Sequence, residues 1–348
     1  MKFYNHKNIN YLAKYIPKSS GVFVIIDKNV TEYFPKNRNF HFIPIDANER
    51  NKSLEYVYGI YKALIGFGAD RDCFIIGVGG GVTTDITGFV ASTYKRGVRF
   101  GFVPTTLLAQ VDAAIGGKNG VNFSGYKNMI GTINQPEWIY VTTTFLRSLD
   151  ERVFREGIAE MLKTFMIFDK GSYYEALAMA AVYKNKMPAA WQERELRREI
   201  ALCGEMKMRI VAEDEKDRGS RRLLNLGHTF AHSIEAAGAK GNKAKSAGSF
   251  GVLHGEAVSM GMVIAAKVAE KLSLCTEKFV KELSNDLTMA SLPVSCPVTA
   301  TQLFSAIKAD KKRSGEKICL ILPKSIGRVV KKDIELKELQ KVLREINY

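Results

Sequence analysis

The sequence has few cysteines and no long hydrophobic segment. Its five cysteines are widely spaced and form no C-x-x-C pair, which argues against a disulfide framework or a thiolate zinc site and favours a reducing cytoplasm. No stretch approaches the roughly 18 uninterrupted apolar residues of a membrane helix, and residues 1–10 lack the apolar run of a signal peptide. The sequence therefore predicts a soluble cytoplasmic protein.

Repeats and low-complexity segments are also missing from the 348 residues. With 46% hydrophobic and 25% charged residues, the composition excludes a disordered or fibrous chain. The length is about twice that of a usual single domain, so two domains are expected.

Acidic residues are outnumbered by basic ones, 36 against 51, which gives a formal net charge of +15. Such a charge attracts polyanions, whether nucleic acid, anionic lipid or a small phosphorylated substrate. The basic residues are spread along the chain and form neither a tail nor a patch interleaved with aromatics. We therefore expect a small anionic substrate and no nucleic-acid or membrane partner.

The two halves of the chain differ in hydrophobic periodicity. Up to about residue 150, short β-rich segments alternate with helical stretches, which is typical of a parallel α/β sheet. Beyond that point helical periodicity dominates, so we predict an α/β domain over 1–150 and a mainly α-helical domain over 151–348. The predicted strands are 21–27, 40–45, 73–78, 99–104, 138–141 and 318–322, and the predicted helices of the second half are 151–183, 190–212, 222–237, 254–273 and 335–346.

The densest glycine cluster, Gly77 and Gly79 to Gly81, follows an apolar segment and precedes a helical stretch. A strand, a tight turn and a helix start let the backbone approach a pyrophosphate, whose charge the free amides of the helix start can bind. Val82 occupies the position of the third glycine of G-x-G-x-x-G. A phosphate cradle and a tight turn without a ligand both remain open at this point.

Charged residues near the predicted strand ends are further candidates. Asp27 ends the first predicted strand, where a carboxylate can accept from ribose hydroxyls, although a lone Asp is also a common turn residue. Glu49 and Lys52 precede a predicted helix and are either cofactor contacts or an N-terminal helix pair.

The segment 103–131 contains glycine-rich turns that display charged and amide side chains. Asp112, Lys118, Lys127 and Asn128 lie among its glycines. Loops of this kind suit phosphate or carboxylate capture, and a solvated lysine loop is the alternative.

Three of the five histidines, His228, His232 and His254, fall within 27 positions. On one continuous helix, Arg221 and Asn225 would share a face with the first two histidines. An H-x-x-x-H pair can bind a divalent metal with a carboxylate from elsewhere, so spacing alone nominates His228 and His232. His254 then reads as a helix cap or a core residue.

Glu160 and Lys163 lie three residues apart on an otherwise apolar helix. Burial would make both charges costly unless they were paired, and an exposed ion pair of little energetic weight is the alternative.

Six blocks of the sequence form an ordered set of motifs. They are GGGVTTDITGFVASTYKRGVRF, VPTTLLAQVDAAIGGKNGVN, KNMIG, GIAEMLK, RRLLNLGHTFAH and LHGEAVSMGM. Together they resemble the 3-dehydroquinate synthase family of sugar-phosphate cyclases, and the N-terminal strand and the DKK at 310–312 extend this resemblance over almost the whole chain.

The resemblance implies a Rossmann-like nucleotide-binding domain over 1–150 and a metal- and substrate-binding domain over 151–348, with NAD and a zinc or cobalt ion in the cleft between them. It also implies a homodimer. The metal ligands become Glu160, His228 and His254, while His232 faces the substrate.

Further site residues follow from the same resemblance. The implied substrate contacts are Asp112, Lys118, Asn128, Lys163, Lys207, Arg221, Asn225 and His232, with Arg96 and one of Lys311 and Lys312 as additional anion partners. The implied cofactor contacts are Asp27, Glu49, Lys52, Gly79, Gly80, Gly81, Val82, Thr83, Thr84, Asp85, Thr105, Thr106, Lys118, Lys127, Phe145, Leu146, Arg147 and Ser148. Thr84, Asn119 and Ala231 depart from the family, which often has Gly, Thr and Gly there, and the 239–250 loop looks enlarged.

The implied reaction converts 3-deoxy-D-arabino-heptulosonate 7-phosphate to 3-dehydroquinate and phosphate in the shikimate pathway of aromatic amino acid biosynthesis. NAD oxidises a ring alcohol, the new ketone permits phosphate elimination, NADH reduces the carbonyl back, and ring opening gives an enolate that closes the carbocycle in an aldol step. Three alternatives stay open: a cyclase for sedoheptulose 7-phosphate or glucose 6-phosphate, an alcohol dehydrogenase of the glycerol dehydrogenase type, and a non-enzymatic binding protein.

Overall fold

The computed structural model describes residues 1–182, 190–240, 251–310 and 316–346. Lys311, Lys312 and residues 241–250 of the predicted enlarged loop lie outside these described residues. The chain packs into two compact units. The first contains Met1–Asp150 and the helix over Ala190–Glu213 as far as Met208, and the second contains the other described residues from Glu151 onward. The assignment of nucleotide binding to residues 1–150 and of metal and substrate binding to residues 151–348 remains a prediction.

The first unit is built on a six-stranded sheet in which every neighbouring pair is parallel. The strand order is β1-β8-β5-β4-β2-β3. Its middle is covered on both faces, and all residues of β4 are buried, which is typical of parallel sheets. The strands are β1 (Lys2–His6), β2 (Val22–Asp27), β3 (Phe40–Ile45), β4 (Phe74–Gly79), β5 (Arg99–Pro104) and β8 (Trp138–Thr142).

The five strands predicted in the first half are thereby confirmed, and β1 is an addition. Helix α1 (Leu54–Gly66) joins β3 to β4, and α2 (Gly81–Thr93) joins β4 to β5. From β2 the chain moves outward to β3 and then returns to β4 on the opposite side. The order therefore reverses between β2 and β4, and ligands of doubly wound sheets bind at the carboxyl ends of the strands at such a reversal.

The glycine-rich segment after β5 is largely an antiparallel hairpin of β6 (Lys118–Phe123) and β7 (Tyr126–Ile133). Ser124 and Gly125 have φ values of 51° and 81°, and a two-residue hairpin turn of type I′ requires this left-handed backbone at both positions. Gly116, Gly117 and Gly125 have the positive φ of the predicted glycine turns, but the residues between and after these turns form strands rather than a lysine loop.

The second unit is mainly helical. Its central helix, α7, is apolar on nearly every side and packs against α3, α6, α8 and β9. The elements of this unit are α3 (Glu151–Phe168), α4 (Lys170–Val182), α6 (His228–Lys240), α7 (His254–Lys271), α8 (Glu277–Met289), α9 (Ala300–Asp310), the antiparallel strands β9 (Lys317–Ser325) and β10 (Arg328–Glu335), and α10 (Leu336–Glu345). The helix over Ala190–Glu213 is α5. None of the described helices is long and apolar enough to cross a membrane.

Two predicted helices are wrong in detail. The helix predicted over 151–183 breaks at Asp169, whose Oδ1 accepts a hydrogen bond from the Ser172 N–H and caps α4. The first part of the helix predicted over 222–237 is a 3₁₀ turn over Ser220–Asn225, and Gly227 at φ 76° separates this turn from α6. Because α6 begins only at His228, Arg221 and Asn225 do not share a continuous helix with His228 and His232.

Candidate functional site

Helix α3 carries three ionisable residues at i, i+4 and i+7, which places Glu156, Glu160 and Lys163 on one face. Glu160 and Lys163 are 0% and 1% exposed, and the Lys163 ammonium contacts Glu160 Oε2. The alternative of an exposed surface pair is therefore wrong. Burying two charges costs free energy even when they are paired, so this pair points to a functional requirement.

Glu160 forms a cluster with His228 and His254. One ligand atom from each residue lies within 4.8 Å of the other two. His228 Nε2 is 3.5 Å and His254 Nε2 is 3.4 Å from Glu160 Oε1. A carboxylate oxygen and two imidazole nitrogens are the ligands of many catalytic zinc sites, in which a further position stays open for water or substrate. The cluster therefore fits a divalent metal ion.

Close helix packing places the two histidines beside Glu160. The Gly255 N–H at the start of α7 donates to Glu156 Oε2 over 3.3 Å, and a Cβ on Gly255 would lie 2.3 Å from the Glu156 Cα. Only glycine permits this approach, and it brings the preceding His254 next to Glu160 one turn along α3. Gly227 has the matching role for α6, because a Cβ there would lie 2.9 Å from the Met262 N atom.

The charges of the cluster shift one another's pKa values. Burial would raise the pKa of Glu160, but the Lys163 ammonium and the imidazoles hold it well below its usual range. Burial and the Lys163 ammonium lower the pKa of His228 to about 3. Burial also opposes protonation of His254, but hydrogen bonds to Glu160 and Glu235 raise its pKa to about 10. The two imidazoles thus sit in opposite electrostatic environments.

The remaining predicted substrate residues of this unit lie on α6 and on the turn before it. His232 is exposed, and its ring centroid is 5.5 Å from that of His228 and 6.3 Å from that of His254. Arg221 is 4% exposed and donates from Nη1 to the Glu215 carbonyl over 2.7 Å. Asn225 is exposed at the end of the 3₁₀ turn. His232 therefore adjoins the cluster without belonging to it.

In the first unit, the predicted cofactor residues follow the carboxyl ends of parallel strands. Carboxyl ends of parallel strands meet at one edge of a sheet, so these residues share that edge. Asp27 ends β2, Gly79 ends β4, and Thr105 and Thr106 follow β5. The 3₁₀ turn Thr143–Ser148 follows β8 and contains Phe145, Leu146, Arg147 and Ser148, of which the first two are buried in the core.

The glycine turn allows close helix packing and leaves the first amides of α2 without a side-chain cap. A Cβ on Gly79 would lie 2.2 Å from Thr83 Oγ1, and a Cβ on Gly77 would lie 2.7 Å from Thr87 Oγ1, so glycine lets α2 approach β4. Gly80 precedes α2 in extended conformation and has no side chain to cap its amides. The start of a 13-residue helix at the sheet's reversal point therefore fits a pyrophosphate.

A polar network joins Lys52 to the hairpin and to α2. Lys52 is 4% exposed, and its ammonium donates to the Asp85 carboxylate and to Asn128 Oδ1. Asn122 donates from Nδ2 to Glu49 Oε1 over 2.8 Å and accepts from the Asn128 N–H over 2.9 Å. The network brings Glu49, Lys52, Asp85 and Asn128 together. It also includes Asn122, which the sequence analysis did not identify, because an asparagine inside a strand belongs to no recognisable motif.

Asp112 and Lys207 form a second polar contact in the first unit. The Lys207 Nζ lies 2.5 Å from Asp112 Oδ1 and 2.8 Å from the Asp112 carbonyl oxygen. Lys118 and Lys127, at the two ends of the hairpin, are exposed. Arg96 occupies a left-handed turn with φ 69°. Long-range contacts such as Asp112 with Lys207 cannot be found from spacing, because 95 positions separate the two residues.

The three departures from the family pattern are packing residues. Thr84 is buried and donates to the Gly81 carbonyl over 3.0 Å. Asn119 donates from Nδ2 to the carbonyls of Gly117 and Asn134, both over 2.9 Å. Ala231 is fully buried in α6. These three residues therefore serve local packing and hydrogen bonding, and none of them is a charged residue of either site.

Sequence comparison divides the chain between two family models. Residues 42–156 match the N-terminal and residues 157–313 the C-terminal model of 3-dehydroquinate synthase. A 3-dehydroquinate synthase of Pyrococcus abyssi is 42% identical over 304 residues, covering 87% of this chain and 85% of that protein. The 3-dehydroquinate synthase of Dictyoglomus thermophilum is 37% identical over 338 residues, covering 96% and 91%.

Structural comparison gives the same fold. A 2-epi-5-epi-valiolone synthase of Streptomyces hygroscopicus, with NAD+ and Zn2+ bound, has a TM-score of 0.83 at 27% identity and covers 98% of this chain and 95% of its own. A glycerol dehydrogenase of Schizosaccharomyces pombe shares only the fold, with a TM-score of 0.61 at 15% identity and coverage of 99% and 91%. By its sequence and its fold, this chain belongs to the 3-dehydroquinate synthase family.

Proposed function

We propose that the chain converts 3-deoxy-D-arabino-heptulosonate 7-phosphate to 3-dehydroquinate and phosphate, as a phosphate-eliminating carbon–oxygen lyase. The observation that carries this proposal is the cluster of the buried Glu160 with the half-buried His228 and His254, with Lys163 and His232 beside it, in a chain that matches both family models. The dehydrogenases share the fold at low identity, whereas the match to 3-dehydroquinate synthases reaches 42%.

Different residues would hold the metal ion and NAD. Glu160, His228 and His254 would hold the metal ion, and Asp27, the Gly79–Gly81 turn and the residues after β5 and β8 would hold NAD. The chemistry supplied by these groups when bound would be reversible hydride acceptance by NAD and polarisation of a substrate alcohol by the metal ion.

The chain's own side chains bind the substrate and move protons. Lys163 balances Glu160 in the buried cluster, so that the carboxylate stays ionised at neutral pH. His232 is exposed beside the cluster and is the proposed proton acceptor and donor for the substrate. Arg221 is the proposed partner of the substrate carboxylate, because a buried guanidinium can bind a carboxylate through two parallel hydrogen bonds.

The assay uses purified protein with Zn²⁺, NAD and the seven-carbon substrate. We expect phosphate and 3-dehydroquinate in equal amounts with no net NADH, because the redox change over one turnover is zero. NADH rising in step with phosphate would contradict the cyclase and favour a dehydrogenase.

Sedoheptulose 7-phosphate is the matched control substrate, since it lacks the carboxylate. We expect kcat/KM for it to be at least ~100-fold lower, because unpaired buried cations cost about 2.7 kcal/mol or more. Arg221→Ala should narrow this gap by slowing the acid substrate selectively. Equal rates with the two sugars would contradict the carboxylate assignment.

The metal ligands are tested by zinc content. His254→Ala should lose zinc, whereas His232→Ala should keep it, since its side chain stands outside the cluster. The reverse result would favour the H-x-x-x-H pair nominated by spacing.

A homodimer and a cytoplasmic location belong to the same proposal. Light scattering coupled to size-exclusion chromatography tests the first, and a mass equal to one chain of 38.8 kDa would contradict it.

A further inference from the structure

The imidazole of His254 lies between two carboxylates. Its Nε2 is 3.4 Å from Glu160 Oε1, and its Nδ1 is 3.4 Å from Glu235 Oε1. Glu235 belongs to α6, seven residues after His228, so both residues lie on the same face of that helix. The side chain of Glu235 is only 13% exposed. Helix α6 thus supplies His228 to the cluster and also the Glu235 carboxylate, which contacts the Nδ1 side of His254.

The two histidines are oriented alike but have different partners. His228 directs Nδ1 to the Leu226 carbonyl oxygen at 3.3 Å, as His254 directs Nδ1 to Glu235, and both present Nε2 to Glu160. An oxygen acceptor at Nδ1 keeps the proton there and leaves the Nε2 lone pair available. The His254 side chain is 31% exposed, against 15% for His228. His254, the more exposed of the two, therefore has a carboxylate at Nδ1, whereas His228 has a neutral carbonyl.

We propose that Glu235 is a positioning residue of the metal centre, which holds the His254 ring and its Nδ1 proton so that Nε2 binds the metal ion. The inference rests on the proposed function, since it takes Glu160, His228 and His254 as the ligands. Glu235 does not touch the metal ion itself. It makes His254 a stronger and better-oriented ligand, because a carboxylate at Nδ1 increases the basicity of Nε2.

The expected effect is on metal affinity, because outer partners of this kind change it by about 10- to 100-fold. Glu235→Gln keeps an oxygen that can accept from Nδ1 but loses the charge, so we expect about a 10-fold weaker zinc Kd. Glu235→Ala removes both and should approach 100-fold. Glu270→Gln, which removes a charge far along α7, is the control and should bind zinc as the unaltered protein does.

Zinc Kd is measured on the metal-free full chain by competition with a chelator, and the thermal unfolding midpoint is measured with and without zinc. We expect zinc to raise the unfolding midpoint of both Glu235 variants less than that of the unaltered protein, because stabilisation by a ligand increases with the logarithm of its affinity. Variants with unaltered Kd would overturn the inference, as would a lowered metal-free midpoint that accounts for the weaker binding. Failure of the unaltered protein to bind zinc would instead overturn the metal site on which the proposed function rests.

Discussion

The predicted cofactor site of the first unit and the metal cluster of the second unit are formed by different kinds of groups. In the first unit, many of the predicted cofactor residues follow strand ends, and a glycine turn offers main-chain groups in addition to the Lys52–Asp85 ion pair. In the second unit, side chains of three helices bring buried charges together. Loss of one side chain from a backbone site removes one contact, whereas loss of one buried charge leaves its partner uncompensated. The metal cluster should therefore be the more fragile of the two.

Glu160→Ala should have the largest effect. It removes a ligand and leaves the buried Lys163 ammonium without its carboxylate partner, which costs about 3 to 5 kcal/mol. We expect no bound zinc and a large fall in the free energy of unfolding, measured with denaturant. Adding Lys163→Met should restore part of that stability without restoring zinc, and a double variant no more stable than Glu160→Ala would contradict the buried-pair argument.

Gly255→Ala tests the backbone approach that places His254. The added Cβ would lie 2.3 Å from the Glu156 Cα, so α7 must shift, at a cost of about 1 to 3 kcal/mol. We expect weaker zinc binding and a lower unfolding midpoint. Gly59→Ala is the matched control in the first unit, because nothing lies within 4 Å of its Cβ and helix propensity favours alanine by about 1 kcal/mol. Equal effects of the two substitutions would contradict the role of Gly255.

Asn122→Ala should separate the two sites. Without the Asn122 amide, Glu49 and the left-handed Asn128 lose a shared partner, and one hydrogen bond to a charged group is worth about 1.4 kcal/mol or more. We expect about a 10-fold higher KM for NAD at unaltered zinc content, with exposed Asn10→Ala as the control. Loss of zinc in Asn122→Ala would show that the sites are not separable.

Glu193→Gln should have the smallest effect and a defined pH dependence. Burial alone would raise the pKa of Glu193, but hydrogen bonds from Thr143 and Arg147 hold it below its usual value. A carboxyl with a lowered pKa stabilises the fold above its unfolded pKa, and this contribution disappears as pH falls through the folded value. The substitution should cost about 1 kcal/mol at pH 7, and this cost should shrink as pH falls through the lowered folded pKa of Glu193. A thermal midpoint difference that is constant with pH would contradict this.

The fold follows from the sequence where the hydrophobic pattern is strong. Buried strands such as β4 and the apolar α7 were predicted to within a few residues, because nearly all their side chains are apolar. Strand β1 was missed because it has no fully buried residue, and α8 because its short apolar stripe is diluted by charged residues. The β6–β7 hairpin was missed because its glycines read as loop residues, although they permit close strand contact.

The residues of the candidate site also differ in how far the sequence alone could predict them. Histidine spacing suggested His228 with His232, because residues four apart lie on one face of a helix, as these two do on α6. The structure instead brings in His254 and Glu160 from other helices, and only the resemblance of the motifs to a known family indicated that set before the structure did. Glu235 and Asn122 had no signal in the sequence, because their importance depends on contacts across 19 and 73 positions.

Helix α5 makes the first unit discontinuous along the chain. Its Gly204 lies against Phe3 of β1, where a Cβ would be 2.8 Å from the Phe3 ring, and the Arg197 carbonyl accepts from Asn5 over 2.7 Å. The sheet is complete at Thr142, but α5, which contacts Phe3 and Asn5 of β1, is synthesised only after α3 and α4. Domains fold as units while the chain emerges from the ribosome. The first unit can therefore complete its folding only after Met208 has been synthesised, and until then β1 lacks its contacts with α5.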